Sequence, residues 1–60
     1  MKVGNIVKWY TDTSHFALVS GIVIDTYMNE LGLPVATVFW FATQNRQNIV
    51  TASLTIISEA

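Results

Sequence analysis

Cysteine is absent from the 60 residues, and histidine occurs once, at His15. No disulfide and no thiolate metal site can staple the chain, and a lone imidazole cannot hold a structural zinc. No metal and no cofactor is therefore expected. Charge is sparse too. Three cations (Lys2, Lys8, Arg46) and four anions (Asp12, Asp25, Glu30, Glu59) leave a net charge of -1. Nucleic-acid binders draw much of their affinity from several Lys/Arg–phosphate contacts, so three scattered cations argue against nucleic acid as a partner. Long apolar runs are missing as well. The longest uncharged stretch of interest, residues 31–44, contains Gly32 and Pro34 and is too short to span a bilayer. Residues 1–5 hold one cation without the apolar run a secretory leader needs. A soluble cytoplasmic protein without a membrane partner is the expectation.

What is abundant is apolar side chain: 52% of residues are hydrophobic and 12% charged, against about 25% charged in an average domain. A chain of this length makes one domain, residues 1–60, and buries only about 60% of its unfolded surface. Without staples, its stability must come from dense packing or from oligomerisation. This much apolar sequence does not fit inside so small a body, and the remainder on the outside marks an interface.

The hydrophobic runs are short, β-branched and aromatic, with turn residues between them, which favours strands over helices. The first run covers residues 5–10. Residues 11–14 (Thr11, Asp12, Thr13, Ser14) read as a loop, because short hydroxyl and carboxylate side chains bond their own backbone. The second run, residues 16–27, contains Gly21, the expected place of a bulge, a bend or a close backbone approach. Residues 29–34, with Gly32 and Pro34, read as a turn. Because Met28, Glu30 and Leu31 tolerate helix, a helical turn over residues 25–33 is the alternative. The third run is residues 35–43, Gln44-Asn45-Arg46 is a tight polar reversal, and the fourth run is residues 47–51. Ala52-Ser53-Leu54 forms one helical turn before a last strand at residues 55–58.

Alternation within the runs sets two apolar faces against each other. Val38 and Trp40 point one way, Phe39 and Phe41 the other; Val23 opposes Ile22 and Ile24. A lone antiparallel domain normally shows polar residues outward. Two apolar faces imply a cover over the outer one, by a second copy or another protein. The outer set is either Ile22, Ile24, Phe39 and Phe41 or the opposite set with Val23, Val38 and Trp40. Burying four such side chains stabilises by about 6–12 kcal/mol before ordering costs, comparable to the whole stability of a domain of this size. The candidate interface residues are Trp9, Ile22, Ile24, Phe39, Trp40 and Phe41.

The order of parts resembles small SH3-like, Tudor-like and KOW-like β-barrels. Val3-Gly4-Asn5-Ile6-Val7-Lys8-Trp9 is similar to their opening strand, with Asn5 where an Asp is usual. Gly21-Ile22-Val23-Ile24-Asp25 resembles the second-strand segment and residues 38–41 the third strand. Residues 50–58 resemble the closing segment with its single helical turn. The chain departs from the pattern at residues 43–46, which lack Asp-Gly, and at Ile49 and Val50, where a Trp is frequent. The resemblance implies an all-β, five-stranded SH3-like small barrel with one short helical turn before the last strand. Short proteins of this shape occur among phage and bacterial products of unassigned role, which would place the protein in a host cytoplasm or a virion. Tudor relatives bind methylated side chains in an aromatic cage; here Trp9, Tyr10, Phe16, Tyr27, Trp40 and Phe41 supply aromatics, but no spacing makes them converge.

Catalysis has little to work with. His15, with Asp12, Thr11, Thr13 and Ser14 near it in sequence, resembles an acid–base set. The same residues are what an exposed loop uses, and geometry must precede an acid–base claim. No catalytic residue is assigned and the chain is not expected to be an enzyme. Trp9, Tyr10, Trp40 and Phe41 could form a stacking platform for single-stranded nucleic acid or peptide, but the basic groove that should accompany it is missing. Arg46 with Gln44, Asn45, Gln47 and Asn48 reads as a solubilising hairpin tip. Asp25 and Glu30 flank a turn and read as solvated charge. The resulting expectation is a non-enzymatic, self-associating protein-interaction or structural module. A nucleic-acid-binding barrel of the KOW or Tudor type is the alternative.

Overall fold

The structure, a computed structural model, describes residues 1–11 and 19–60. His15, Asp12 and the neighbouring Thr13, Ser14 and Phe16 lie outside the described residues.

Five strands follow one another: β1 (Ile6–Trp9), β2 (Ser20–Met28), β3 (Pro34–Trp40), β4 (Asn45–Val50) and, after a 3-10 turn at Thr51–Ser53, β5 (Leu54–Ser58). All pair antiparallel in one open sheet of order β4-β3-β2-β1-β5. β4 and β5 are the two edges, yet only the three residues of the 3-10 turn join them. At about 2.0 Å per residue, that link holds the two edges close together at one end, so the sheet has to curl.

The short runs became strands for the reason their residues suggest: branched and aromatic side chains pack on a pleated, half-buried surface. Several boundaries differ from the sequence reading by one or two residues, the helical turn falling at Thr51–Ser53 instead of residues 52–54, and the third corner differs by more. The third run stops at Trp40 instead of residue 43. The reversal is built from residues 41–44, with the Gln44 N–H donating to the Trp40 carbonyl at 2.8 Å and Gln44 at φ 57. Asn45, Arg46, Gln47 and Asn48 are consequently not a hairpin tip; they belong to edge strand β4. Gln44 takes the left-handed turn position that glycine or asparagine usually marks, which is why the sequence places this corner too late.

The β2–β3 hairpin is closed without a helical turn, which overturns the helical alternative for residues 25–33. Asn29 organises it. Its Oδ1 accepts from the N–H groups of Leu31 (2.9 Å) and Leu33 (3.0 Å), and its own N–H donates to the Leu33 carbonyl at 2.9 Å. Gly32 supplies the φ of 78 that the turn needs.

The core is Val7, Val23, Ala36, Val38, Trp40, Ile49 and Leu54, with Trp9 packed against it. The set Val23, Val38 and Trp40 is thus inside. Gly21 pairs with Trp40 in the β2–β3 ladder. A Cβ at Gly21 would sit 2.5 Å from Val38 Cγ1, 2.6 Å from the Phe39 carbonyl oxygen and 3.1 Å from Trp40 Cε3. Of the roles open to Gly21, close approach is the one the packing demonstrates. The register shift falls instead between Val23 and Asp25, leaving Ile24 as the unpaired bulge residue.

Candidate interaction surface

The ladders align side chains into rows across the sheet. Ile6 pairs with Ile22, Ile22 with Phe39, and Phe39 with Arg46. Side chains alternate along each strand, and the neighbours Val7, Val23 and Val38 are fully buried. Ile6, Ile22 and Phe39 therefore share the opposite, outer face. They form one apolar row over three adjacent strands that ends on Arg46 at the edge. Phe41 lies beside it, its ring edge-on to Phe39 at 6.3 Å and 72°. The bulge holds Ile24 outward, 38% exposed, and sets Asp25 opposite Thr37, on the Phe39 side of β3. Ile22 and Phe39 are half-buried and Phe41 is 46% exposed.

Of the candidate interface residues, Ile22, Ile24, Phe39 and Phe41 come together on this face. Trp9 and Trp40 sit on the other side. Trp40 is buried in the core, and the half-buried Trp9 stacks on it with ring centroids 5.2 Å apart and 18° between planes. The Trp40 indole Nε1–H donates to Gln47 Oε1 at 2.7 Å, so a Trp in the core has its one polar atom satisfied. Tyr10 is 70% exposed. The four aromatics considered as a stacking platform are thereby split: Trp9 and Trp40 inside, Phe41 on the outer face.

Two features escaped the sequence reading. Ile6 completes the outer row; the alternation Ile6-Val7-Lys8, read with the pairing to Ile22, is the signal that carries it. Second, the β2–β3 hairpin ends in an apolar tip with Tyr27, Met28, Leu31 and Leu33 all exposed, where a turn is ordinarily polar. A shallow depression there is lined by Tyr27, Met28, Asn29, Glu30 and Leu31.

The termini meet at a third place. Asn5 is buried, and its Oδ1 accepts from the Ala60 N–H at 2.9 Å. Its carbonyl accepts from the Val23 N–H at 2.9 Å, and the Gly4 N–H donates to the Val23 carbonyl at 2.8 Å. The role of Asn5 is that of a clamp between β2 and the two ends of the described chain.

Asp25 and Glu30 are exposed. Asp25 Oδ1 accepts from the next N–H, that of Thr26, at 2.9 Å. Among the described residues there is no group of three His, Cys, Asp or Glu able to hold a metal ion, and no helix long and apolar enough to cross a membrane. What the arrangement offers chemically is apolar area with a charged margin. No family model, curated protein or solved structure matches the chain.

Proposed function

We propose that this chain is a non-enzymatic protein-interaction or structural module that self-associates through its outer sheet face, on a fold of the SH3-like barrel type. One observation carries the reading: the row Ile6–Ile22–Phe39, flanked by Ile24 and Phe41, lies on the side of the sheet away from the core. A sheet face left to solvent is normally polar. Exposed contiguous apolar area of this kind marks an interaction site. Because Ile22 and Phe39 are already half-buried in the single chain, covering them stabilises by less than the transfer of four fully exposed side chains would.

The competing reading, a KOW- or Tudor-like nucleic-acid binder, draws little support. Lys2, Lys8 and Arg46 are the only cations of the sequence, and Lys8 and Arg46 belong to strands β1 and β4, which are not neighbours in the sheet. Such a distribution does not make a backbone-tracking groove.

Light scattering on the whole chain tests the proposal, wild type beside Phe39→Ser. A concentration-dependent rise in mass that Phe39→Ser removes, with the fold retained by circular dichroism, supports it. A monomer at high micromolar concentration, or association indifferent to Phe39→Ser, refutes it.

A further inference from the structure

Arg46, Lys8 and Asp25 lie on the outer face, and Arg46 and Asp25 stand in a relation that suits a second copy of that face. This inference rests on the self-association reading above and specifies its geometry. Arg46 ends the apolar row on β4, opposite Phe39. Asp25 stands on β2, one side-chain step along, opposite Thr37. By ordinary sheet spacing the two lie about 12 Å apart across the face, and both are exposed.

Two sheets packed face to face by a twofold have the axis in the plane between them, and the interface is isologous. Three placements of that axis can be compared. An axis along β3 lays Arg46 on the copy's Ile22 and buries an unpaired guanidinium against apolar surface, which is costly. An axis along the row Ile6–Ile22–Phe39–Arg46 sets Arg46 against its own copy, a like-charge contact, and puts no cation opposite Asp25. The third axis runs diagonally, crosses β3 between Thr37 and Phe39, and bisects the line from Arg46 to Asp25. It places each Arg46 over the copy's Asp25. The same operation carries Phe39 onto the copy's Ile22 and Phe41 onto the copy's Ile6. The axis also passes close to Lys8 on β1 and brings it near the copy's Lys8; at the margin of the face both ammonium groups extend to water.

We infer that this chain forms a twofold dimer, sheet face on sheet face, with Phe39 and Ile22 packed reciprocally at the centre and two Arg46–Asp25 ion pairs between copies at the rim. Rim charges set orientation and register more than affinity. The dimer is weak because the face is small.

Sedimentation equilibrium of the whole chain tests this with Asp25→Lys, Arg46→Glu and the double variant. Both positions are exposed, and circular dichroism verifies that each variant is folded. Each single change removes two ion pairs and adds two repulsions, so the dimer weakens about tenfold. The double variant restores pairs of reversed sign and returns to within about threefold of wild type. A double variant no tighter than the singles overturns the inference. So does wild-type dimerisation that Phe39→Ser abolishes but neither charge reversal alters, an outcome that leaves the self-association reading standing. A wild-type monomer throughout overturns both. A salt titration of the wild type needs no variant: dissociation increases several-fold as the Debye length shrinks from about 10 Å to about 3 Å, and a dimer that tightens at every step contradicts the ion pairs.

Discussion

Gly21 and Trp40 face each other across the β2–β3 ladder, and a Val38 methyl, the Phe39 carbonyl oxygen and the indole edge together occupy the space a side chain at Gly21 would need. The pair explains both residues. An aromatic across from a strand glycine covers the gap the glycine leaves, and the missing Cβ lets β3 approach. Gly21→Ala pushes a methyl to 2.5 Å from Val38 Cγ1 and 2.6 Å from the Phe39 carbonyl oxygen. Backbone cannot yield as a flexible side chain does. Overpacking of this kind costs about 1–3 kcal/mol, and urea unfolding of Gly21→Ala is expected to show a loss at the upper end of that range. An unchanged midpoint would mean that the contact is not tight.

Gly32 makes the contrasting case. Nothing lies within 4 Å of a Cβ built there, yet its φ is 78. The cost of Gly32→Ala is then purely conformational, about 1–2 kcal/mol, and Gly32→Asn costs less because asparagine tolerates the left-handed region. Equilibrium unfolding of the two variants side by side checks the order.

Gln47 stands on edge strand β4 but holds the Trp40 indole N–H at 2.7 Å. Gln47→Ala strips a buried donor of its partner, which costs about 1–3 kcal/mol. Trp40 is only 5% exposed, so water does not replace the amide freely. Thermal unfolding is expected at a lower midpoint for Gln47→Ala, whereas Gln47→Glu keeps an acceptor and loses less.

Asn5 ties the Ala60 N–H to β2 through its side chain. Asn5→Ala is expected to cost about 1–2 kcal/mol and to speed hydrogen exchange at the Ala60 amide beyond the global change. Asn5→Asp retains an acceptor at the same place and keeps more of the protection. Equal exchange at Ala60 in all three proteins would show that the clamp is not formed in solution.

The five strands along the chain were legible from runs of β-branched and aromatic residues separated by turn residues; their order in the sheet was not. The choice of core face was not, because Val23, Val38 and Trp40 on one side and Ile22, Phe39 and Phe41 on the other are equally apolar. Gly21 breaks the tie: it lies in the same alternation class as Val23, and only a close inner contact, here with Val38 and the β3 backbone as well as Trp40, demands a missing Cβ there. The bulge at Ile24 has no glycine to announce it, so the outward turn of Asp25 onto the Phe39 side was hidden. Gln44 in a left-handed conformation displaced the third corner, and with it the reading of Asn45 and Arg46 as reversal and of Gln47 and Asn48 as part of a hairpin tip. Hydrogen bonds from Trp40 to Gln47 and from the Thr37 hydroxyl to Asn48 Oδ1 at 2.8 Å give those amides ladder duties that composition alone assigns to a solvated tip. At the other corner, Asn29 and Gly32 were read correctly as a turn, but its apolar tip was not foreseen, since Leu31 and Leu33 look like interrupted strand.

The central claim is that the outer row, and not the hairpin tip, is where this chain meets its own kind. Amide and methyl NMR spectra of the whole chain, recorded over a dilution series from high to low micromolar, test it residue by residue. The account predicts shifts with dilution clustered at Ile6, Ile22, Ile24, Phe39 and Phe41, while Val7, Val23 and Val38 stay nearly fixed. Spectra that do not change with concentration, or changes confined to Tyr27, Met28, Leu31 and Leu33, would contradict it.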